Sequence, residues 1–159
     1  MLNKASIMLT LLLLLGTTLG FAQQKEHQQM QQQMNQMQNM QQMMQHMNQM
    51  MERTQTLSQE MNRRMEQTQN EQMRNQYQMM NRMGEQLHLM LGNMKNAAER
   101  CNLMQQDKVM MQNKEMKQDM DRLRQHLQDM TSQMDEAVNS MERMTKRLQE
   151  QAAKGTAQN

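Results

Sequence analysis

The sequence of residues 109–148, VMMQNKEMKQDMDRLRQHLQDMTSQMDEAVNSMERMTKRL, decides the fold class. Apolar residues recur in it every seven positions in two interleaved series, which is typical of a coiled-coil helix. Asn113 is the one polar residue at these positions, and a buried amide there would fix the register. The two series are Val109, Met116, Leu123, Met130, Ala137 and Met144, and Met120, Leu127, Met134, Met141 and Leu148.

A second seam precedes this one and alternates at intervals of four and three. The pair Gly92-Asn93 interrupts it and indicates either a hairpin turn or a tolerated glycine in a continuous helix. Cys101 ends the seam, where we expect a small buried apolar residue; an interchain disulfide is the alternative. The seam consists of Met73, Tyr77, Met80, Gly84, Leu87, Leu91, Met94, Ala98 and Cys101.

Residues 23–51 form a low-complexity segment of Met, Gln, Asn and His, without Asp, Glu, Lys or Arg between Glu26 and Glu52. On a helical wheel its methionines cover an arc of about 200°, wider than a coiled-coil seam, so some should stay exposed. The competing interpretation is a partly disordered, aggregation-prone tract. These methionines are Met30, Met34, Met37, Met40, Met43, Met44, Met47, Met50 and Met51.

Residues 1–22 have the pattern of a cleaved signal peptide. Lys4 precedes an apolar run from Ile7 to Leu15, and small residues at Gly20 and Ala22 predict cleavage after Ala22. The run is too short for a permanent membrane span, so we expect an exported chain that does not insert into the membrane after cleavage. The predicted location is the periplasm, with secretion as the alternative.

These patterns together predict an all-α protein built of elongated amphipathic helices, as a coiled coil or a helical hairpin, that forms a homo-oligomer. After the signal peptide (1–22), we expect a Met/Gln-rich helix (23–51) and an amphipathic helix (52–104) with the ambiguous pair at 92–93. A heptad helix (105–150) and a disordered tail (151–159) would follow.

Catalysis would require a nucleophile or general base held in a pocket. The chain has four histidines and one cysteine without a glycine-rich phosphate loop, a CxxC or HExxH motif, or clustered carboxylates. We therefore expect a protein that is not an enzyme. The net charge of +2 gives no indication of a nucleic-acid partner.

The choice of methionine needs its own explanation, because Leu, Ile and Val specify a core better. Of 28 methionines only Met1 and Met8 precede residue 23; nine then fall before residue 52, eight in 52–100 and nine after 100. Methionine sulfoxide can be reduced back, whereas most other oxidative damage is permanent. The chain has no Trp, one Tyr and one Cys. The predicted oxidant-reactive residues are the nine of segment 23–51 together with Met79, Met83, Met90 and Met111.

The signal-peptide pattern, the methionine content and the Met/Gln/Glu/Lys helical composition resemble those of the small methionine-rich periplasmic proteins that bacteria induce against hypochlorite. The resemblance implies a sacrificial sink for oxidant, recycled by a periplasmic methionine sulfoxide reductase as its partner. No cofactor is implied.

Thioethers also bind soft metals, because sulfur prefers Cu(I) and Ag(I) to hard ions. The alternative function is therefore a periplasmic Cu(I)- or Ag(I)-binding protein. Methionines and histidines three residues apart lie on adjacent helical turns, although any Met-rich amphipathic helix produces this spacing. A structural coiled-coil interaction protein is the third interpretation. His88 and His126 lack similar neighbours and are expected at the surface. The candidate metal ligands are His27, Met30, Met43, His46 and Met47.

Overall fold

The computed structural model describes the backbone of residues 4–156 and the side-chain environments of residues 27–28, 30–107 and 109–154. Residues 4–156 contain no strand, and the prediction of an all-α protein is confirmed. Among residues 27–28, 30–107 and 109–154, no helix is long and apolar enough to span a bilayer. The helices are α1 (Lys4–Gln67), α2 (Glu71–Gln106), α3 (Lys108–Gln112) and α4 (Lys114–Thr156).

The chain divides into two compact units, Met1–Asn39 and Met40–Asn159. We call the second the bundle unit, because residues 40–67 of α1 pack with α2 and α4 around one core. It begins inside the segment 23–51, which is helical throughout. The tail predicted to be disordered is helical as far as Thr156, and the rest of it lies outside the described residues.

Two clusters of buried side chains fix the directions of the three helices. The larger cluster joins Met43 of α1 with Cys101 near the end of α2 and Met120 near the start of α4. The smaller joins Met61 near the end of α1 with Tyr77 near the start of α2. In the bundle unit α2 therefore runs antiparallel to both α1 and α4.

Each helix contributes a heptad seam to this core. The seam predicted for α2 is confirmed, since each of its nine residues is buried or half-buried. The seam of α1 was not predicted, because its methionines were assigned to a low-complexity segment. It consists of Met40, Met43, Met47, Met50, Thr54, Leu57 and Met61.

Only one of the two series predicted for α4 lies in the core. Met120, Leu127, Met134 and Met141 are buried, but the residues that accompany them are Thr131, Val138 and Thr145, one position after the predicted ones. The threonine at 131 can be buried because its hydroxyl donates to the Leu127 carbonyl at 2.7 Å. The other predicted series is displaced to the edge of the core; Leu123 and Met130 are exposed.

Polar side chains cap the starts of α2, α3 and α4, and the chain turns at these caps and not at Gly92-Asn93. Asn70 accepts a hydrogen bond from the Met73 amide at 3.1 Å and starts α2, which then continues through Gly92-Asn93 without a break. Asp107 and Asn113 cap α3 and α4 in the same way. Asn113 is thus an exposed cap and not a buried register residue, and the hairpin turns lie at residues 68–70 and 107–113.

A group of hydrogen-bonded charges connects α1 and α4. Arg53 donates from Nε and Nη2 to the two carboxylate oxygens of Glu142, both at 2.8 Å, and from Nη1 to Asp135 Oδ1 at 3.1 Å. The hydrogen bond from Arg53 lowers the pKa of Glu142, and the same bond raises the pKa of Arg53. His46 of α1 lies 3.6 Å from Asp135, and Arg53 follows it in the chain as Glu142 follows Asp135, so α1 and α4 run parallel.

The helices approach one another closely at Gly84, which is buried. A Cβ atom on this residue would overlap Oγ of Ser58 in α1 and lie 2.8 Å from Cε of Met141 in α4. The methionine end can move, but the serine hydroxyl is confined and has no hydrogen-bond partner. Gly92 is different, since a Cβ there would meet only Met51 Cε at 3.9 Å.

We expect Gly84→Ala to destabilise the bundle by about 1 kcal/mol, because overpacking costs about 1–3 kcal/mol and helix propensity returns about 1 kcal/mol. The double variant Ser58→Ala/Gly84→Ala should be at least as stable as the wild type. Gly92→Ala is the matched control and should gain roughly 0.5–1 kcal/mol. Urea unfolding measures all three, and a Gly84→Ala variant as stable as Gly92→Ala would contradict the packing described.

Candidate functional site: the surface methionines

The methionines from Met30 onward fall into three classes of similar size: eight exposed, nine half-buried and nine buried. An exposed thioether is open to dissolved oxidants or metal ions, whereas a buried one contributes to packing. The candidate site is therefore a distributed surface. Its exposed members are Met30, Met34, Met37, Met79, Met83, Met90, Met130 and Met144.

Three exposed methionines lie on one face of α1 in the first unit. Met30 and Met34 are each 60% exposed and Met37 is 37% exposed. They follow His27 at steps of three, four and three residues, so the four side chains occupy an arc of about 80°. His27 is exposed as well. This face has an imidazole and three thioethers on successive helical turns.

The prediction that segment 23–51 would supply nine reactive methionines needs correction. Met40, Met43, Met47 and Met50 are at most 9% exposed and belong to the core of the bundle unit. They are buried because they occupy the heptad seam of α1. Met44 and Met51 are half-buried beside them. Met111 in α3, which was also predicted to be reactive, is half-buried too.

The exposed methionines of α2 were all predicted, whereas those of α4 were missed. Met79, Met83 and Met90 are 60%, 38% and 51% exposed. Met130 and Met144, at 39% and 38%, were assigned to the coiled-coil seam. They could have been found by testing Thr and Val as core residues, which moves the seam by one position.

The structure does not bring the five candidate metal ligands together at a surface. His27 and Met30 are exposed in the first unit, whereas Met43 and Met47 are buried in the core of the bundle unit. Nε2 of His46 lies 3.6 Å from Asp135 Oδ1, on the side of α1 that contacts α4. Among the described residues no three His, Cys, Asp or Glu side chains group as metal ligands.

The two histidines expected at the surface differ. His126 is exposed, but His88 is half-buried between α2 and α1. Its Nδ1 atom lies 3.1 Å from the Met51 carbonyl oxygen, so the imidazole contributes to packing between these helices.

The single cysteine and the single tyrosine are shielded from solvent. Cys101 is 1% exposed and Tyr77 is 2% exposed, each within the core of the bundle unit. Burial raises the pKa of the Cys101 thiol, against a smaller opposing effect of Arg124. Since the thiolate is the reactive form, a buried thiol with a raised pKa reacts slowly. Cys101 is a buried apolar residue, and an interchain disulfide would require the core to open.

No protein-family model matches this chain, and comparisons with curated proteins and with solved structures found no match.

We expect Cys101 to be alkylated in the native protein at least about a hundredfold more slowly than in urea, because a buried, protonated thiol must wait for the core to open. Mass spectrometry of the iodoacetamide-treated protein measures both rates. An exposed methionine provides the internal comparison. Added peroxide should oxidise the thioether of Met30 in the same native protein in which iodoacetamide leaves the Cys101 thiol unlabelled. Equal labelling rates in buffer and in urea would contradict the shielding.

Proposed function

We propose that this chain is an exported, reversible scavenger of hypochlorous acid and related oxidants. The observation that carries the proposal is the separation of oxidisable side chains by solvent exposure. Eight methionines are exposed, while the one cysteine and the one tyrosine are buried. An oxidant that reaches the surface of the described chain therefore meets sulfur in its repairable form.

The chemistry is an oxygen transfer in which two electrons leave the thioether sulfur. Hypochlorous acid and the thioether give methionine sulfoxide, chloride and a proton, whereas hydrogen peroxide gives the sulfoxide and water. A methionine sulfoxide reductase with two thiols returns the thioether and forms a disulfide and water. We propose such a periplasmic reductase as the partner, with the pattern of residues 1–22 as the basis for export.

The distribution of burial determines the sequence in which the methionines of the scavenger are oxidised. Exposed sulfoxides on helix surfaces leave the core unchanged, whereas a sulfoxide at Met47 or Met141, each 0% exposed, would place a polar group in an apolar seam. The exposed methionines are therefore capacity that can be used in the folded state. The buried ones maintain the fold until that capacity has been consumed.

We expect limited hypochlorite to add mass in steps of about 16 Da, at the eight exposed methionines first, without loss of helical circular dichroism. A sulfoxide reductase should then remove the added mass. Further oxidant should reach the half-buried and buried sites together with loss of helicity. Peptide mapping during the titration measures the order, and oxidation confined to one or two methionines would contradict the proposal.

Two sets of four substitutions sharpen this test. Leucine at Met30, Met34, Met79 and Met90, each more than half exposed, should halve the first phase of oxidant uptake. The control set replaces Met47, Met50, Met61 and Met141, which are 0% exposed, and should leave the first phase unchanged. Methionine-to-leucine changes conserve volume and typically cost less than about 1.5 kcal/mol each, so both proteins are expected to fold.

A second candidate function is binding of Cu(I) or Ag(I), favoured by the exposed face of His27, Met30, Met34 and Met37. Two or three of these soft donors lie within reach of one ion on adjacent turns. The alternative ligands around His46 are disfavoured by the burial of Met43 and Met47.

If this face binds metal, the variant His27→Ala/Met34→Leu should lose Ag(I) binding, because it removes the imidazole and the central thioether. The matched variant Met43→Leu/His46→Ala should retain it. Competition against a silver chelator measures both. Equal affinity of the two variants would exclude this face as the binding site.

A further inference from the structure

One flank of α4 carries a row of apolar residues that the intramolecular bundle leaves at its edge. The residues lie seven apart: Met116, Leu123, Met130, Ala137 and Met144. Three of them, at 123, 130 and 144, are 38–41% exposed. The other flank of α4 holds the two acids that contact Arg53 of α1. The apolar row therefore faces the side of α4 where α2 lies.

A matching row runs along α2 and consists of Met83, Met90, Ala97 and Met104, again seven apart. The opposite flank of α2 faces α1, because His88 lies there against the Met51 carbonyl. The row on α2 consequently faces α4. Since α2 and α4 are antiparallel, these two rows are the positions that meet across their outer groove.

The position of Gly84 sets the register of this groove. It lies against Met141, so Met83 and Met144 are near one end of the length over which α2 and α4 lie side by side. Ala97 then lies near the level of Met130. We call the surface formed by the two rows the α2–α4 groove. The α1–α4 surface, by comparison, is occupied by ion pairs of Arg53. An apolar groove of this length on a polar chain is typical of an interaction site.

The dimensions of the α2–α4 groove match a dimer interface. The rows span 22 residues of α2 and 29 of α4, or about 31 Å and 42 Å between their end residues. Two adjacent helices present a face about 20 Å wide, so roughly 600–800 Å² is available. Stable interfaces bury about 800 Å² on each partner. A second copy offers a face of the same size.

The charge distribution also suits a second copy. The next positions outward along the two rows are Gln86, Asn93 and Arg100 on α2 and Asp119, His126, Gln133 and Ser140 on α4. The amides and the hydroxyl at positions 86, 93, 133 and 140 are uncharged and can hydrogen-bond at the rim, while Arg100 and Asp119 add one charge of each sign. An antiparallel pair of helices is compatible with a two-fold axis through its centre.

We propose that two copies of this chain associate through the α2–α4 groove, face to face about a two-fold axis. The methionines at 83, 90, 130 and 144 are then covered in the dimer, so the first phase of oxidation at all eight exposed methionines is that of the dilute, monomeric protein. This interface is distinct from the three-helix core, which each copy completes by itself. It requires neither the oxidant chemistry nor the metal binding proposed above.

Sedimentation velocity on protein purified after expression of the full chain tests this proposal. We expect a dimer at tens of micromolar and a rise in the dissociation constant of at least about a hundredfold for Met90→Lys/Met130→Lys. Leu89→Lys is the matched control: it is 65% exposed on the neighbouring face of α2 and should remain dimeric. Both substituted methionines are exposed, so unchanged circular dichroism is expected for all three proteins.

A second measurement needs no variant. Brief peroxide oxidation at low and at high protein concentration should show slower oxidation of Met90 and Met130 in the concentrated sample, and equal rates at Met30 and Met34. A chain that stays monomeric at several hundred micromolar overturns the proposal. A dimer that the double lysine variant leaves intact also overturns it, as does a dimer in which Met90 and Met130 are not protected. In both cases the copies would associate through a surface other than the α2–α4 groove.

Discussion

Burial of thioether side chains in heptad seams is the interaction on which the rest of this structure depends. Met47, Met50, Met61 and Met141 are wholly buried, and Tyr77 is the only aromatic residue in the part of the core that the structure describes. A buried methionine contributes roughly 1.5–3 kcal/mol through the hydrophobic effect. Because the thioether is unbranched and flexible, it also fills the space between helices whose partners are small, such as Gly84 and Ala98.

The same residue type therefore has two roles, and solvent exposure alone separates them. In α1 the methionines at 43 and 47 are buried, while those at 30 and 34 are 60% exposed, although all belong to one uncharged tract. Composition cannot distinguish these roles. Heptad position does, since the buried residues follow the seam that continues through Thr54 to Met61.

The sequence predicted the class of fold and the α2 seam residue by residue, because apolar residues there fill every core position. In α4 it predicted only half of the seam. Thr131 and Thr145 are buried polar residues, and the prediction placed the neighbouring apolar series in the core instead. Adjacent positions differ by only about 100° on the helix, so a one-residue error moves Met130 and Met144 from surface to core. The candidate site was consequently predicted in part.

The three surfaces between helices differ in chemistry, which also could not be predicted before the helix directions were known. Arg53 and Glu142 are 89 residues apart in sequence, and they meet only because α1 and α4 are parallel. That pairing occupies one flank of each helix with charge. The apolar flank of α4 is thereby left to face α2.

The limited stability of a small bundle restricts how many of its methionines can be oxidised while the chain stays folded. A sulfoxide in the seam loses most of the burial energy of the side chain, and an unpaired buried polar group costs a further 1–3 kcal/mol or so. Domains of this size are stable by about 5–15 kcal/mol in total. Two or three core sulfoxides therefore cancel the stability of the fold. Oxidation of the core must be cooperative with unfolding, whereas oxidation of the surface is independent from site to site, and only the surface reaction can be cycled by a reductase without refolding the chain.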